Sequence, residues 1–255
     1  MQLALISHKG VYFALLMKNI CTIHFIFVIL QRICFHNALI LVHYRNDLQF
    51  MTYNSFYNQW HHLACFSITQ VRAIYPTFNR RNYSEWQKAG YIVPLRQGWY
   101  AFADCVNKPD YARYIASKIY TPSYISLHTA LSFYGIIPEA VVAITSITTR
   151  KTAQFENVFA SYSYQTIKPS LFWGYEPKQL SEGKTYLLAT PEKALIDLLY
   201  LYPQYSTKEE MLELRLDEDF MHNELDKERL IEYTTRIGSP IITKRVQLML
   251  KTYGL

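Results

Sequence analysis

FSITQVRAIYPTFNRRNYSEWQKAGYIVPLRQGWYAFA, residues 66–103, is the stretch from which the rest of the chain is read. Ser67 is an N-cap for a short helix over 68–74, and Pro76 in the turn Tyr75-Pro76-Thr77 forbids its continuation. A second helix is expected from Asn79, with Tyr83 and Trp86 inward at i, i+3 and a stop at Gly90, a residue suited to the left-handed C-terminal position. Its outer face is Arg80, Arg81, Asn82, Ser84, Gln87 and Lys88. Beyond Gly90 the period becomes alternating: Tyr91 to Leu95, the turn Arg96-Gln97-Gly98, then Trp99 to Phe102. That pattern predicts a β-hairpin with a basic tip, so the whole reads as a winged helix-turn-helix.

A second helix whose first turn is polar and basic fits a major groove, where arginines reach guanine edges or phosphates. Arg96 and Gln97 at the hairpin tip would then meet the neighbouring backbone. The bland alternative is a protein-docking module whose Arg80 and Arg81 are a solvated face. Double-stranded DNA is the partner this pattern favours.

At 255 residues the chain has room for two ordinary domains, and with half its residues hydrophobic and 22 tyrosines it is globular. The formal charge of +6 is unevenly spread: basic residues exceed acidic ones by three in each of 1–50, 51–105 and 106–178, whereas 179–255 holds 10 basic and 13 acidic residues. A polyanion would therefore meet the front of the sequence. Cys21, Cys34, Cys65 and Cys105 form no CxxC pair and show no metal spacing, which favours a reduced, cytoplasmic chain without a metal or cofactor. His61-His62 reads as surface and packing. No glycine-rich phosphate loop, HExxH or GxSxG occurs.

Residues 1–50 differ from the remainder. Two apolar runs, 20–30 and 33–44, together have the length of a membrane span, but Arg32 lies between them, at a cost of roughly 2.5–3.5 kcal/mol on insertion scales. A membrane location is not expected, and an over-extended translation start ahead of Met51 is the favoured reading. Helical spacing of Phe56, Trp60, Leu63 and Ala64 predicts a helix over 52–65. After a linker at 103–109, helices are expected at 111–120 and 126–135, the latter capped by Ser126, and strands at 141–149, 155–159, 160–167 and 184–189. Thr190-Pro191-Glu192 opens a helix with cap, N1 proline and first-turn acid. Helices at 208–216, 226–236 and 242–253 complete the chain.

The runs YISLHTALSFYGIIPE (124–139), ITSITTRKTAQFE (144–156), SYSYQTIKPSLFWGYE (161–176) and LLATPEKALIDLLYL (187–201) follow a winged helix that ends in GYIVPLRQGWYAFAD. In this order they resemble the AbiEi-type antitoxins of bacterial type IV toxin–antitoxin systems, over about 52–254. The resemblance implies a protein that represses its own operon through the N-terminal domain and counters a nucleotidyltransferase toxin through the C-terminal one. In such systems the two generally form no stable complex.

The expected fold is therefore α+β: a leader at 1–50, a winged helix-turn-helix at 51–105 that binds operator DNA, and a mixed α/β antitoxin domain at 106–255 ending in helices. Thr149, Arg150 and Lys151, a basic strand end, are the candidate antitoxic surface or a second nucleic-acid contact, or equally a polar strand end and turn. A solitary winged-helix regulator is the alternative. Pro109-Asp110 with Glu176-Pro177-Lys178 also spells a Mg²⁺-nuclease pattern, but such short patterns recur by chance, and no catalytic residue is assigned.

Overall fold

The computed structural model describes residues 51–255 apart from Pro109, Ala140 and Val142. The leader reading, Cys21 and Cys34 lie outside the described residues. Helices and strands are mixed, and the strands form two sheets. The described chain divides into two compact units, residues 51–58 with Val71–Arg80, and Gln59–Gln70 with Arg81–Leu255.

The first unit holds most of α1 (Tyr53–Trp60) and the end of α2 (Ile68–Ile74). Within it Phe56 packs on Phe78 with ring centroids 5.7 Å apart, both rings buried. The Tyr75 amide donates to the Val71 carbonyl and closes the helix one residue before Pro76.

In the second unit, Ser67 and Gln70 form a reciprocal cap at the start of α2. The Gln70 amide donates to Ser67 Oγ at 3.1 Å and the Ser67 amide to Gln70 Oε1 at 2.8 Å. Then come α3 (Arg81–Lys88), β2 (Ile92–Arg96) and β3 (Trp99–Phe102). With β1 (Cys65–Ser67) the two strands make an antiparallel three-stranded sheet of order β1-β3-β2. Gly98, at φ +77°, takes the left-handed turn of the hairpin. The expected helix over 52–65 is too long. The helix ends at Trp60, Ala64 turns with φ 60°, and Cys65 pairs with Ala101 in the sheet.

The larger sheet has the order β6-β7-β5-β4-β9-β8. Its strands are β4 (Ser123–Ile125), β5 (Ala143–Thr148), β6 (Ala153–Glu156), β7 (Ser161–Thr166), β8 (Tyr175–Gln179) and β9 (Thr185–Ala189). The β5–β7 and β4–β9 pairs are parallel and the others antiparallel. Around it lie α4 (Tyr111–Ile119), α5 (Leu127–Phe133) and α6 (Pro191–Leu201). Helices α7 (Lys208–Leu212), α8 (Glu218–Asn223), α9 (Lys227–Ile237) and α10 (Pro240–Thr252) close the chain, and α6 packs against α5, α9 and α10.

Tyr162 and Tyr164 share the buried face of β7, as their alternation predicts, and the Tyr164 hydroxyl donates to the Ala116 carbonyl of α4. Thr190 caps α6 by accepting from the Lys193 amide. Ser126 precedes α5 but gives it no side-chain cap: its hydroxyl donates to Asp197 instead. Among the described residues no helix is long and apolar enough to cross a membrane.

Candidate nucleic-acid interface

Helix α3 is fixed by its two large aromatic residues. Tyr83 stacks on Tyr100 of β3, centroids 5.4 Å apart and planes at 6°, and Trp86 meets Tyr83 edge-on at 6.4 Å. Both side chains are buried. Because successive residues of a helix turn by about 100°, anchoring positions 83 and 86 sends 81, 84, 87 and 88 outward. Arg81, Ser84, Gln87 and Lys88 are indeed exposed, and Asn82 is half-buried. Asn79 and Arg80, just ahead of the helix, are exposed as well.

The outward face also carries Glu85, which is absent from the expected set. Its Oε1 lies 2.8 Å from Arg81 Nε in an i, i+4 pair with both side chains more than half exposed. Such a pair is weak. The spacing is plain in the sequence, but a face read for its cations leaves the acid out. Glu85 places one negative charge among Arg81, Lys88, Ser84 and Gln87 on the exposed side of the helix.

Gln97 is exposed at the hairpin tip, but Arg96 turns inward. Its guanidinium donates to the Ile119 carbonyl at 2.7 Å and lies 4.4 Å over the Phe155 ring and 5.4 Å over Tyr120. Nearby, Asn157 Nδ2 donates to the Leu95 carbonyl at 3.2 Å. The arginine expected to reach DNA from the wing thus ties the hairpin to α4 and to the β6–β7 edge.

The basic strand end meets the same tyrosine. Arg150 stands 4.4 Å over Tyr120 and donates to the Thr121 carbonyl at 3.3 Å. Lys151 is exposed, its carbonyl accepting from the Tyr120 hydroxyl at 2.7 Å, and Thr149 is half-buried. Of the nuclease-like residues, Pro109 lies outside the described residues. Asp110 pairs with Arg113, and Glu176 pairs with Lys178 at 3.4 Å on the edge strand β8.

One cluster of acid–base groups is entirely enclosed. Lys193 Nζ donates to the Tyr124 hydroxyl at 2.8 Å and pairs with Asp197. Asp197 Oδ2 also accepts from Tyr124 at 2.9 Å and from Ser126 at 2.8 Å. The Lys193 and Asp197 side chains are 1% and 3% exposed. Burial pushes the Asp197 carboxyl above its ordinary value and the Lys193 ammonium below its own. Ser126 is fully buried too, and the hydrogen bonds of the group tie α6 to β4 and the residues that follow it.

No protein-family model matches this chain, and a search among curated proteins finds no match.

Proposed function

We propose that this protein is the antitoxin and autorepressor of a type IV toxin–antitoxin operon, reading double-stranded operator DNA through a winged helix-turn-helix. The carrying observation is the pairing of a buried Tyr83–Trp86 face with an exposed Arg81, Ser84, Gln87 and Lys88 face on a helix followed directly by a two-stranded hairpin. Eight residues at about 1.5 Å each make a helix about 12 Å long, short enough to present its whole outer face to one major-groove segment. Arg80, Arg81 and Lys88 supply the phosphate-seeking charge, and Asn82, Ser84 and Gln87 supply donors and acceptors for base edges. Asn79 adds a polar group just ahead of the helix, and Gln97 is the polar group left at the wing tip. Countering the nucleotidyltransferase toxin is assigned to the six-stranded sheet and its helices. That assignment rests on the resemblance over 124–201, with Thr149, Arg150 and Lys151 as the surface to probe. The protein acts in the cytoplasm, without a catalytic role.

The test uses the full chain in cells carrying its own promoter fused to a reporter and the neighbouring nucleotidyltransferase frame under separate control. The variant Arg80→Ala/Arg81→Ala/Lys88→Ala loses repression and still rescues growth. Retained repression, or growth rescue lost together with repression, contradicts the proposal. A gene with no nucleotidyltransferase neighbour favours the solitary regulator.

A further inference from the structure

The geometry points to a Zn²⁺ site made by His61, Asp104 and Cys105 at the base of the three-stranded sheet. Their ligand atoms all lie within 4.8 Å of one another. His61 Nε2 is 2.9 Å from Asp104 Oδ2 and 3.8 Å from Cys105 Sγ. In a tetrahedral zinc site with bonds of about 2.0–2.3 Å, neighbouring ligand atoms stand about 3.3–3.7 Å apart, so side-chain shifts of up to about 1 Å close these three around one ion. One imidazole nitrogen, one carboxylate oxygen and one thiolate sulfur are the donor set a borderline divalent cation prefers.

The ligands are brought together by strand register. His61 begins the helical turn His61–Leu63 just before β1, and Asp104 and Cys105 lie in the turn Ala103–Cys105 just after β3. Pairing of Cys65 with Ala101, and the Phe102 amide donating to the Ala64 carbonyl at 3.1 Å, set those two turns side by side. The His61 ring stands edge-on to Phe102 at 5.4 Å, which limits its rotation. Entry is from the Asp104 side, where the carboxylate is 47% exposed, while Cys105 is buried behind it. Nothing in the spacing of 61, 104 and 105 resembles a zinc finger, which is why no metal is expected from the sequence.

Binding balances in charge. Cys105 gives up its thiol proton to solvent, the proton that His61 Nε2 shares with Asp104 leaves or moves to Nδ1, and Zn²⁺ is neutralised by one thiolate and one carboxylate. Among the described residues these three form the group, and one further ligand completes the tetrahedron. The ion would clip the β1–β3 pair at one end, where the start of β1 meets the end of β3, and hold the hairpin that follows α3.

The experiment titrates Co²⁺, then Zn²⁺, into the purified full chain under reducing conditions. Thiolate ligation gives Co²⁺ a near-ultraviolet charge-transfer band, and Zn²⁺ then abolishes it by displacement. The band is expected at one equivalent per chain and is lost in Cys105→Ser, which also separates this site from one using Cys21 or Cys34. Since Cys105 is buried, Asp104→Asn provides a second variant on a half-exposed side chain. Its Zn²⁺ affinity should fall by more than about tenfold, the least that losing a supporting group costs at such sites. Absence of the band, its persistence in Cys105→Ser, or unchanged Zn²⁺ affinity in Asp104→Asn overturns the site.

Discussion

Arg96 stands at the end of β2, where a wing would carry its basic tip, and it faces the protein instead. A guanidinium that donates to a carbonyl and lies over Phe155 and Tyr120 is worth more inside than in solvent, because its flat faces cover aromatic surface while one edge keeps a charged hydrogen bond. Arg96→Ala should therefore lower unfolding free energy by about 1–3 kcal/mol and leave the salt dependence of DNA binding by the folded protein unchanged. Urea denaturation and a salt titration check this, and a shallower salt slope would return Arg96 to the DNA. Glu182 is a second residue with a definite task. Its carboxylate accepts from Lys108 at 2.7 Å, Tyr111 at 2.6 Å and Lys184 at 3.1 Å, and these donors, Lys108 first, hold its pKa at about 2 rather than 4.5. With the folded value depressed, its contribution to stability is complete above the unfolded value and disappears as pH falls toward about 2. Wild type should thus exceed Glu182→Gln in melting temperature at neutral pH, with the gap closing through that acid window. A gap independent of pH would remove the ionic role.

Helix α6 shows most clearly what one segment's pattern conveys and what it hides. TPEKALIDLL predicts the cap and the apolar positions, and both are observed, but Glu192 to Leu199 is buried on every side, Lys193 and Asp197 included. Lys193 and Asp197 stand one helical turn apart, at i, i+4. They are internal because Tyr124 and Ser126 of the adjoining segment supply the remaining hydrogen bonds, a provision that no local pattern displays. Gly174 reflects the same packing: with φ +77°, a Cβ there would stand 2.9 Å from Lys193 Cγ. Removing one partner strands the other charge, so Asp197→Leu or Lys193→Met alone should cost about 3–5 kcal/mol, and the double replacement should recover most of it. Denaturant unfolding of the three variants decides it, and harmless single replacements would contradict the account. The three-residue strands β1 and β4 escape a sequence reading for a related reason. Their pairing is set by distant partners, Ala101 for Cys65 and Ile147 for Tyr124, and so short a run carries no period of its own. Helix α2, the hairpin and β7 are legible because cap, turn glycine and alternation are all local. The outward α3 face is legible too, whereas the inward turn of Arg96 depends on aromatic rings more than 20 residues away and is not.

In the larger unit the hairpin and the six-stranded sheet are joined by more than a linker. Arg96 reaches α4, Asn157 of the β6–β7 turn donates to Leu95, and the Tyr114 hydroxyl of α4 donates to the Leu63 carbonyl at 3.0 Å. These hydrogen bonds cross the boundary at 103–109, where the sequence suggests a division into two separately folding domains, so function is best tested in the intact chain. DNA reading by the exposed face of α3 is the central claim, and binding of the full chain to its own promoter duplex across salt concentrations, with and without Arg80→Ala/Arg81→Ala/Lys88→Ala, tests it most directly. Three cations meeting phosphate predict a slope of log K on log salt of about −3. In the triple variant, with an unchanged melting temperature, the slope should flatten by about one unit for each phosphate contact removed. Affinity should fall by about 1–3 kcal/mol for any arginine that reads a guanine. Equal affinity and equal slope for the two proteins would contradict a DNA-reading role for this face.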